Sequence, residues 1–264
     1  MSGNAKYPLS IVILGAGRMG TLLGKTFQKA GFTISQVFSR TLKSAETLGK
    51  ELKTSYTNSP SEILKDQDVY LITTTDDAIA EVFRLLPSDK LMVHTSGATP
   101  LSIFEEGENT GVIYPVMSIS QKDIDFSNVP ICIEYSNAYS ESILKQIADS
   151  ISTKIYHLDS EKRLRLHVAA VFINNYVHYI SSIGAKILHQ GGISTEILSS
   201  LKDYTFKTLS SLDPETLKHT QTGPARRNDV LTIQKHLNFL SLHNPEYKEL
   251  YQIIASQILQ ESQW

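Results

Sequence analysis

Hydrophobic positions along the chain fall into two regimes. From Leu9 to His157, short continuous apolar runs alternate with stretches in which apolar residues recur every three or four positions. The runs at Leu9–Leu14, Phe32–Ser39, Asp68–Thr73, Lys90–His94, Gly111–Pro115, Pro130–Tyr135 and Lys154–His157 predict strands. The periodic stretches at Thr21–Ala30, Lys43–Leu52, Asp76–Leu86 and Ala138–Ile151 predict helices. Alternation of this kind predicts βαβ units, and apolar runs without a polar alternate predict a parallel sheet covered on both faces. After His157 everything reads helical: Glu161–Gln190, Thr195–Leu212, Pro214–His219, Asp229–Ser241 and Pro245–Gln260. Asp213-Pro214 and Asn244-Pro245 each pair an N-cap with a first-turn proline. The expected organisation is a doubly wound α/β domain over residues 1–155 and an all-α domain over 156–264, joined without a Pro/Gly-rich linker.

Composition narrows the class of partner. The 264 residues are 41% hydrophobic, and 25 basic against 27 acidic side chains leave a net charge of −2. No global field draws such a chain to nucleic acid or an anionic bilayer, so a small molecule or a second copy of the chain is the expected partner. One cysteine, Cys132, allows no internal disulfide, and the first residues lack the pattern of a secretory leader. A cytoplasmic protein is expected. Leu166–Ala185 is 20 residues without a formal charge, long enough to cross a bilayer. It carries His167, Asn174, Asn175, His178, Ser181 and Ser182, each needing a hydrogen-bond partner in lipid, so a soluble helix is the better reading.

Gly15-Ala16-Gly17-Arg18-Met19-Gly20 is a G-x-G-x-x-G placed between an expected strand and an expected helix. Gly15 permits a tight turn, Gly17 lets backbone approach a pyrophosphate, and Gly20 lets helix and strand pack closely. Arg18 and Met19 open the helix whose N-terminal N–H groups face the anion. The first domain is therefore of Rossmann type. An NAD site places an acid at the end of the second strand, to bond the ribose 2′-hydroxyl. Here that place holds Ser39-Arg40-Thr41, and a guanidinium flanked by hydroxyls suits the 2′-phosphate of NADP. A solvated loop arginine accounts for Arg40 equally well, but not for the missing acid.

Two more loops follow expected strands at their carboxyl ends, where open α/β sheets bind ligands. Thr73-Thr74-Thr75-Asp76-Asp77 brings Thr74 and Thr75 toward a cofactor, and Asp76 and Asp77 are either site residues or helix caps. His94-Thr95-Ser96-Gly97-Ala98 brings Ser96, with His94 either near a nicotinamide or a structural histidine. On the long helix, at 100° per residue, Asn174, His178, Ser181 and Ala185 fall within about 40° of the His167 direction. This polar stripe either lines a site or pairs with neighbouring helices. The histidines His167, His178 and His189 are 11 residues apart, about 16 Å along a helix, too far to share a metal. Thr222–Asp229 places Arg226 and Arg227 at the start of a helix, to bind an anionic group or to pair with Asp229.

Gly15–Gly20, Asp68–Ile79, His94–Ala98, Tyr114-Pro115, His167–Asn175 and Thr222–Asp229 together resemble the Rossmann-like proteins with a C-terminal DUF2520 domain. That group is labelled NADP oxidoreductase and is akin to the F420-dependent NADP oxidoreductase and pyrroline-5-carboxylate reductase families. The resemblance spans nearly the whole chain. Its most distinctive part is T-G-P-x-x-R-x-D, met by Thr222, Gly223, Pro224, Arg227 and Asp229. It implies a Rossmann domain, a helical domain similar to that of 6-phosphogluconate dehydrogenase, and a homodimer. Two departures stand out. Tyr114-Pro115-Val116-Met117 replaces the His-Pro-Leu-Gln of many members, and the lysine that hydroxyacid dehydrogenases carry near the asparagine of this helix is absent.

The expected function is an NADP-dependent oxidoreductase passing a hydride between nicotinamide and a small carbonyl or imine, in a cleft between the domains. His167 is the expected proton donor because imidazole titrates near neutral pH. Asn175 orients the substrate, and Arg227 binds its anionic group. The competing class is an NADP-binding sensor or interaction protein without catalysis. No metal is called for.

Overall fold

The computed structural model describes residues 9–105, 107–118, 124–210 and 213–261. Eight strands form one sheet: β1 (Ser10–Leu14), β2 (Thr33–Phe38), β3 (Ser55–Thr57), β4 (Val69–Ile72), β5 (Leu91–His94), β6 (Thr110–Pro115), β7 (Ile131–Tyr135) and β8 (Ile155–His157). Their order is β3-β2-β1-β4-β5-β6-β7-β8, so the chain winds outward from β1 in one direction, then returns to β4 and winds in the other. The Rossmann-type doubly wound sheet is thus present, with one departure from an all-parallel arrangement. The β6–β7 pair is antiparallel, Ile113 facing Ile133. The described part of its connection holds one short 3-10 turn, Phe126–Asn128, and an antiparallel pair needs no crossover helix to bring the chain back. β3 was not expected, because Ser55-Tyr56-Thr57 has no apolar run to announce it.

The sheet is covered on both faces by helices α1 (Arg18–Lys29), α2 (Leu42–Leu52), α3 (Ile79–Phe83) and α4 (Ala138–Ile151). Side chains of β1 alternate between the two cores, as the pleat requires. Ile11 and Ile13 join Leu23, Phe27, Leu48 and Ile147, while Val12 and Leu14 join Tyr70, Ile72, Ile79 and Phe104. Burial on both sides is why these strands read as unbroken apolar runs. The helix expected over Asp76–Leu86 is shorter, a 3-10 turn at Asp76–Ala78 followed by α3. Pro87 disfavours helical backbone at the residue before it, which helps to stop the helix.

The long helix is not uniform. α5 (Ser160–Ala170) leads into a π-helical segment at Val171–Tyr176 and then α6 (Val177–Gln190). A π turn adds about one residue, and with it about 100° of rotation, so a stripe calculated at α-helical pitch does not run unbroken from His167 to His178. By internal contacts the chain divides into two compact units, residues 1–174 and 175–264, rather than near residue 155 where the sequence pattern changes. The side chains that hold α5 in the first unit are described below.

The second unit continues from α6 through a 3-10 turn at Thr195–Leu198 to α7 (Ser199–Thr208), α8 (Pro214–Thr220), α9 (Val230–His243) and α10 (Pro245–Glu261). Leu212, the expected end of the helix containing α7, lies outside the described residues. The Asp213 and Asp229 carboxylates cap α8 and α9, accepting from the Thr216 and Thr232 N–H groups at 2.9 and 3.1 Å. Asn244 departs from its expected role as a side-chain cap. It is buried, its amide donates to Gln190 Oε1, and its backbone carbonyl accepts from the Tyr247 N–H. No described helix is long and apolar enough to cross a membrane.

Candidate functional site

The winding direction reverses between β1 and β4, and their carboxyl ends carry the glycine turn and Thr73. Gly15 has φ of 118°, and an added Cβ would stand 2.8 Å from the Thr73 backbone. Thr73 closes the turn, its N–H donating to the Leu14 carbonyl at 2.8 Å and its hydroxyl to the Gly15 carbonyl at 2.7 Å. At Gly20 a Cβ would come within 2.0 Å of the Gly15 carbonyl oxygen, so only glycine lets α1 pass this close. Gly17 is the opposite case: it is exposed and a Cβ there would meet nothing within 4 Å. α1 begins immediately after it, with no side-chain cap and no acid in its first turn. The open N–H groups of that turn, on Arg18, Met19 and Gly20, complement an anion. The helix thus starts earlier than the expected Thr21.

At the end of β2, Ser39 is partly buried, and Arg40 and Thr41 are exposed, with Thr41 at the start of α2. The Asp77 carboxyl beyond β4 is held below its ordinary range, chiefly by a hydrogen bond from the Thr75 side chain and in part by the Arg40 guanidinium. Arg40 therefore lies over the same carboxyl edge as the Thr74–Asp77 loop. The buried Thr74 Oγ1 has no hydrogen-bond partner among the described residues, while Thr75 is exposed. Neither Asp76 nor Asp77 is the helix cap; Thr75 is, and both acids lie in the first turn. Lys43 escaped the sequence reading. It lines a hollow of about 240 Å³ with Ala16, Thr21, Ser44, Thr47 and Glu51, between the start of α1 and one side of α2. Its position three residues after Arg40, on the opening turn of a helix, was the available signal.

A second cluster lies beyond β5 and β6. Ser96 Oγ accepts from the Ala98 and Thr99 N–H groups at 3.1 and 2.9 Å, so it shapes the loop after β5. His94 is buried within the sheet, its Nδ1 accepting from the Ser96 N–H at 3.2 Å, its ring 5.4 Å from that of Phe104. Burial, assisted by the nearby Arg163 charge, pushes its pKa down to about 3, so the ring is neutral. Of its two expected roles, the geometry matches the structural histidine. His167, by contrast, is partly exposed, with Nδ1 3.1 Å from the Tyr114 hydroxyl.

Arg163 explains how His167 arrives there. It lies one helical turn earlier on the same face of α5, and its guanidinium is fully buried. It donates to the Glu134 carboxylate on β7, to the Thr99 carbonyl, and at 3.3 Å to the Ser96 carbonyl. Glu134 also accepts from the Ser160 N–H and hydroxyl at 3.0 and 2.9 Å. The first turns of α5 are thereby tied to β7 and to the loop after β5. Neither Arg163 nor Glu134 was singled out from sequence.

Asn175 and Arg227 belong to the second unit. Asn175 is in the π-helical segment, with an exposed side chain. Arg227 is exposed in a turn that ends at Asn228, whose φ is 53°, and in which the Asp229 N–H donates to the Pro224 carbonyl at 2.9 Å. The first unit thus collects Gly15–Gly20, Ser39–Thr41, Thr74, Thr75, Ser96 and His167, and the remaining two residues are described only within the second. No group of three or more His, Cys, Asp or Glu among the described residues is arranged to hold a metal ion.

Two family models match the chain: F420-dependent NADP oxidoreductase over residues 10–96, and the DUF2520 domain of unknown function over 129–258. A Bacteroides fragilis protein, provisionally named an NADP oxidoreductase, is 33% identical over 96% of this chain and 98% of its own, with a TM-score of 0.85. The chain belongs to this Rossmann-like DUF2520 family. Its fold recurs, at 17% identity and TM-score 0.71, in an imine reductase from Myxococcus stipitatus solved with NADP+, covering 96% of this chain and 94% of that one. It recurs again in a reductive aminase from Aspergillus terreus solved with NADPH and ethyl levulinate, at 15% identity and TM-score 0.72, covering 97% and 95%. No curated protein matches the chain. The DUF2520 protein described here thus has the fold of NADP-dependent oxidoreductases.

Proposed function

We propose that this DUF2520 protein binds NADP(H) and catalyses hydride transfer between the nicotinamide and a small carbonyl or imine compound. The observation that carries the reading is Gly17, open and exposed at the uncapped N-terminus of α1, where the winding reverses between β1 and β4. The residues around it fit the cofactor. Gly17 and the first-turn N–H groups of Arg18, Met19 and Gly20 take the pyrophosphate. Ser39, Arg40 and Thr41 take the 2′-phosphate, their own turn carrying no acid. The unpartnered Thr74 hydroxyl, with Thr75 and the loop of Ser96, borders the same carboxyl edge of the sheet.

When bound, the nicotinamide supplies the hydride, and the protein's share is orientation and proton management. In reduction of a carbonyl, the oxygen that becomes negative as hydride reaches carbon takes a proton from His167. Asn175 orients the substrate, and Arg227 binds its anionic group. The relatives' bound ligands support this reading without fixing the substrate, since they are seen at 15–17% identity.

Calorimetry with NADPH and NADH, followed by NADPH oxidation assays with a panel of aldehydes, keto acids and imines, tests the proposal. Tight NADPH binding with turnover of at least one substrate class is expected. Binding without turnover would turn the reading toward an NADP sensor, and absence of binding would end it.

A further inference from the structure

Tyr114 and His167 are 53 residues apart in sequence, yet three independent features of the first unit bring them together. Tyr114 is held in β6, whose neighbours β5 and β7 are both in the sheet. His167 is placed by Arg163, one turn earlier, through bonds to Glu134, Ser96 and Thr99. Gly97 provides the space. A Cβ on it would stand 2.6 Å from His167 Nδ1 and 2.8 Å from Tyr114 Cζ, so any larger residue displaces the pair.

The phenol is nearly buried, and among the described residues His167 Nδ1 is its one hydrogen-bond partner. An O–H in that position satisfies itself by donating, which makes Nδ1 the acceptor and leaves the imidazole hydrogen on Nε2. Nε2 has no hydrogen bond among the described residues, and His167 is partly exposed.

We propose that Tyr114 and His167 form a two-step proton relay, in which Tyr114 acts through His167 as positioning residue and proton source. The proposal rests on the oxidoreductase reading and sharpens it toward carbonyl substrates, whose oxygen needs a proton once hydride has arrived. The Nε2–H bond breaks as an O–H bond forms on the product alcohol. Nδ1 takes the phenolic proton in the same movement, so the ring stays neutral and Tyr114 is left as phenolate. After product leaves, water protonates Nε2 and Nδ1 returns its proton to the phenolate, which restores the starting tautomer and leaves hydroxide in solvent. Charge and atoms balance, and imidazolium is never required.

The surroundings suit this role. The titratable and charged groups facing the phenol are Cys132 on β7 and Arg163 and His167 on α5, with Glu134 paired to Arg163. Burial, with a smaller contribution from Cys132, raises the Tyr114 pKa above its ordinary value of 10, against a lowering by the Arg163 charge. The phenol therefore keeps its proton at neutral pH, and Arg163 stabilises the transient phenolate.

The relay separates cleanly from an imidazolium donor. Such a donor loses activity as pH rises through about 6.5, the usual imidazole value, whereas a phenol-fed relay keeps kcat level well into the alkaline range, the Tyr114 pKa being raised by burial. The experiment is a pH profile of kcat for carbonyl reduction, paired with nitrogen NMR of the full chain labelled at histidine. Tyr114→Phe and Gly97→Ala are the variants, the second leaving both members of the relay in the chain. Both are expected to move the His167 Nδ1 resonance toward that of a nitrogen without a hydrogen bond, leaving the other histidines unchanged. Both are expected to lower kcat about 10- to 100-fold, Tyr114→Phe with the NADPH KM unaltered. On a His167→Ala background, Tyr114→Phe is expected to cost nothing more.

An unmoved Nδ1 signal in both variants, additive losses with His167→Ala, or a kcat that falls around pH 6.5 each overturns the relay. Failure of the unmodified chain to oxidise NADPH with any carbonyl or imine overturns the oxidoreductase reading on which the relay depends, whereas turnover of imines alone overturns only the relay; either shows before a variant is made. The NMR comparison, needing no cofactor, separates these two failures.

Discussion

Arg40 tests the cofactor choice most directly. Its guanidinium is exposed at the end of β2, where the turn carries no ribose-binding acid. Arg40→Ala should remove a charge-assisted contact worth about 1–3 kcal/mol and with it the preference for NADPH over NADH. Calorimetry on the two cofactors, before and after the substitution, checks this; equal affinities in the unmodified protein would reject it. Gly17→Val should abolish binding of either dinucleotide while circular dichroism stays native, because the open side of Gly17 is the side a pyrophosphate needs. Gly15 and Gly20 answer to a different constraint, contact with Thr73 and with each other, and side chains there should damage the fold itself. All three were legible because a glycine turn has few other uses between a strand and a helix. His94 was not, since sequence could not say whether its ring faced the carboxyl edge or the core. Its folded pKa of about 3 lies below the unfolded value near 6.5, so unfolding takes up a proton at mildly acid pH. Stability should be fully present above pH 6.5 and decline as pH falls, by about 2 kcal/mol at pH 5. His94→Asn, which keeps an acceptor for the Ser96 N–H, should flatten that part of the urea-denaturation profile.

Helix α5 shows where pattern reading stops. Its helical character was evident from the spacing, though not its end at Ala170, and its anchor pairs Arg163 with Glu134 on β7, a strand that runs against its neighbour β6. Antiparallel pairing leaves no mark in an apolar run that is buried on both faces, so nothing in the sequence placed Glu134 beneath α5. The π-helical segment at Val171–Tyr176 was equally hidden, because a uniform 100° step was assumed through residues of ordinary helix character. The anchor has a measurable consequence. Glu134→Gln leaves the Arg163 charge buried and half-satisfied, and loss of one partner of such a pair costs about 3–5 kcal/mol. A denaturation midpoint lowered accordingly is expected, with partial recovery when Arg163→Met is added, since removing both charges costs less than orphaning one. Equal stability of Glu134→Gln and the unmodified chain would mean that the anchor contributes nothing net.

The two units bury apolar surface very unequally. The first holds two extensive cores on either side of the sheet, whereas Ala225 and Leu240 are the buried apolar residues described in the second. α6 exposes Tyr179 and Ile180, α7 exposes Tyr204 and Phe206, and α9 exposes Leu231 and Leu242 at 78% and 79%. Between α6, α9 and α10 a hollow of about 300 Å³ is lined by Ile183, Ile187, Phe239, Leu250 and other apolar side chains. Ninety residues with so little core are not stable alone on these contacts, and large apolar side chains exposed on three of their helices call for a covering partner. We propose that a second copy of the chain covers it, two-fold pairing being the commonest symmetric arrangement and one that buries the same patch on both copies. Light scattering at micromolar concentration should give twice the 29.4 kDa of one chain. Leu231 and Leu242, 11 positions apart, lie within about 20° of each other around α9 and so share one face. Converting both to Asp would place unpaired carboxylates in a covered surface, which is costly, while leaving them in water on an isolated chain, which is not. The double variant should therefore run as a monomer with a less stable helical unit. A mass of one chain for the unmodified protein would reject the pairing, because the exposed faces of α6, α7 and α9 would then be in water after all.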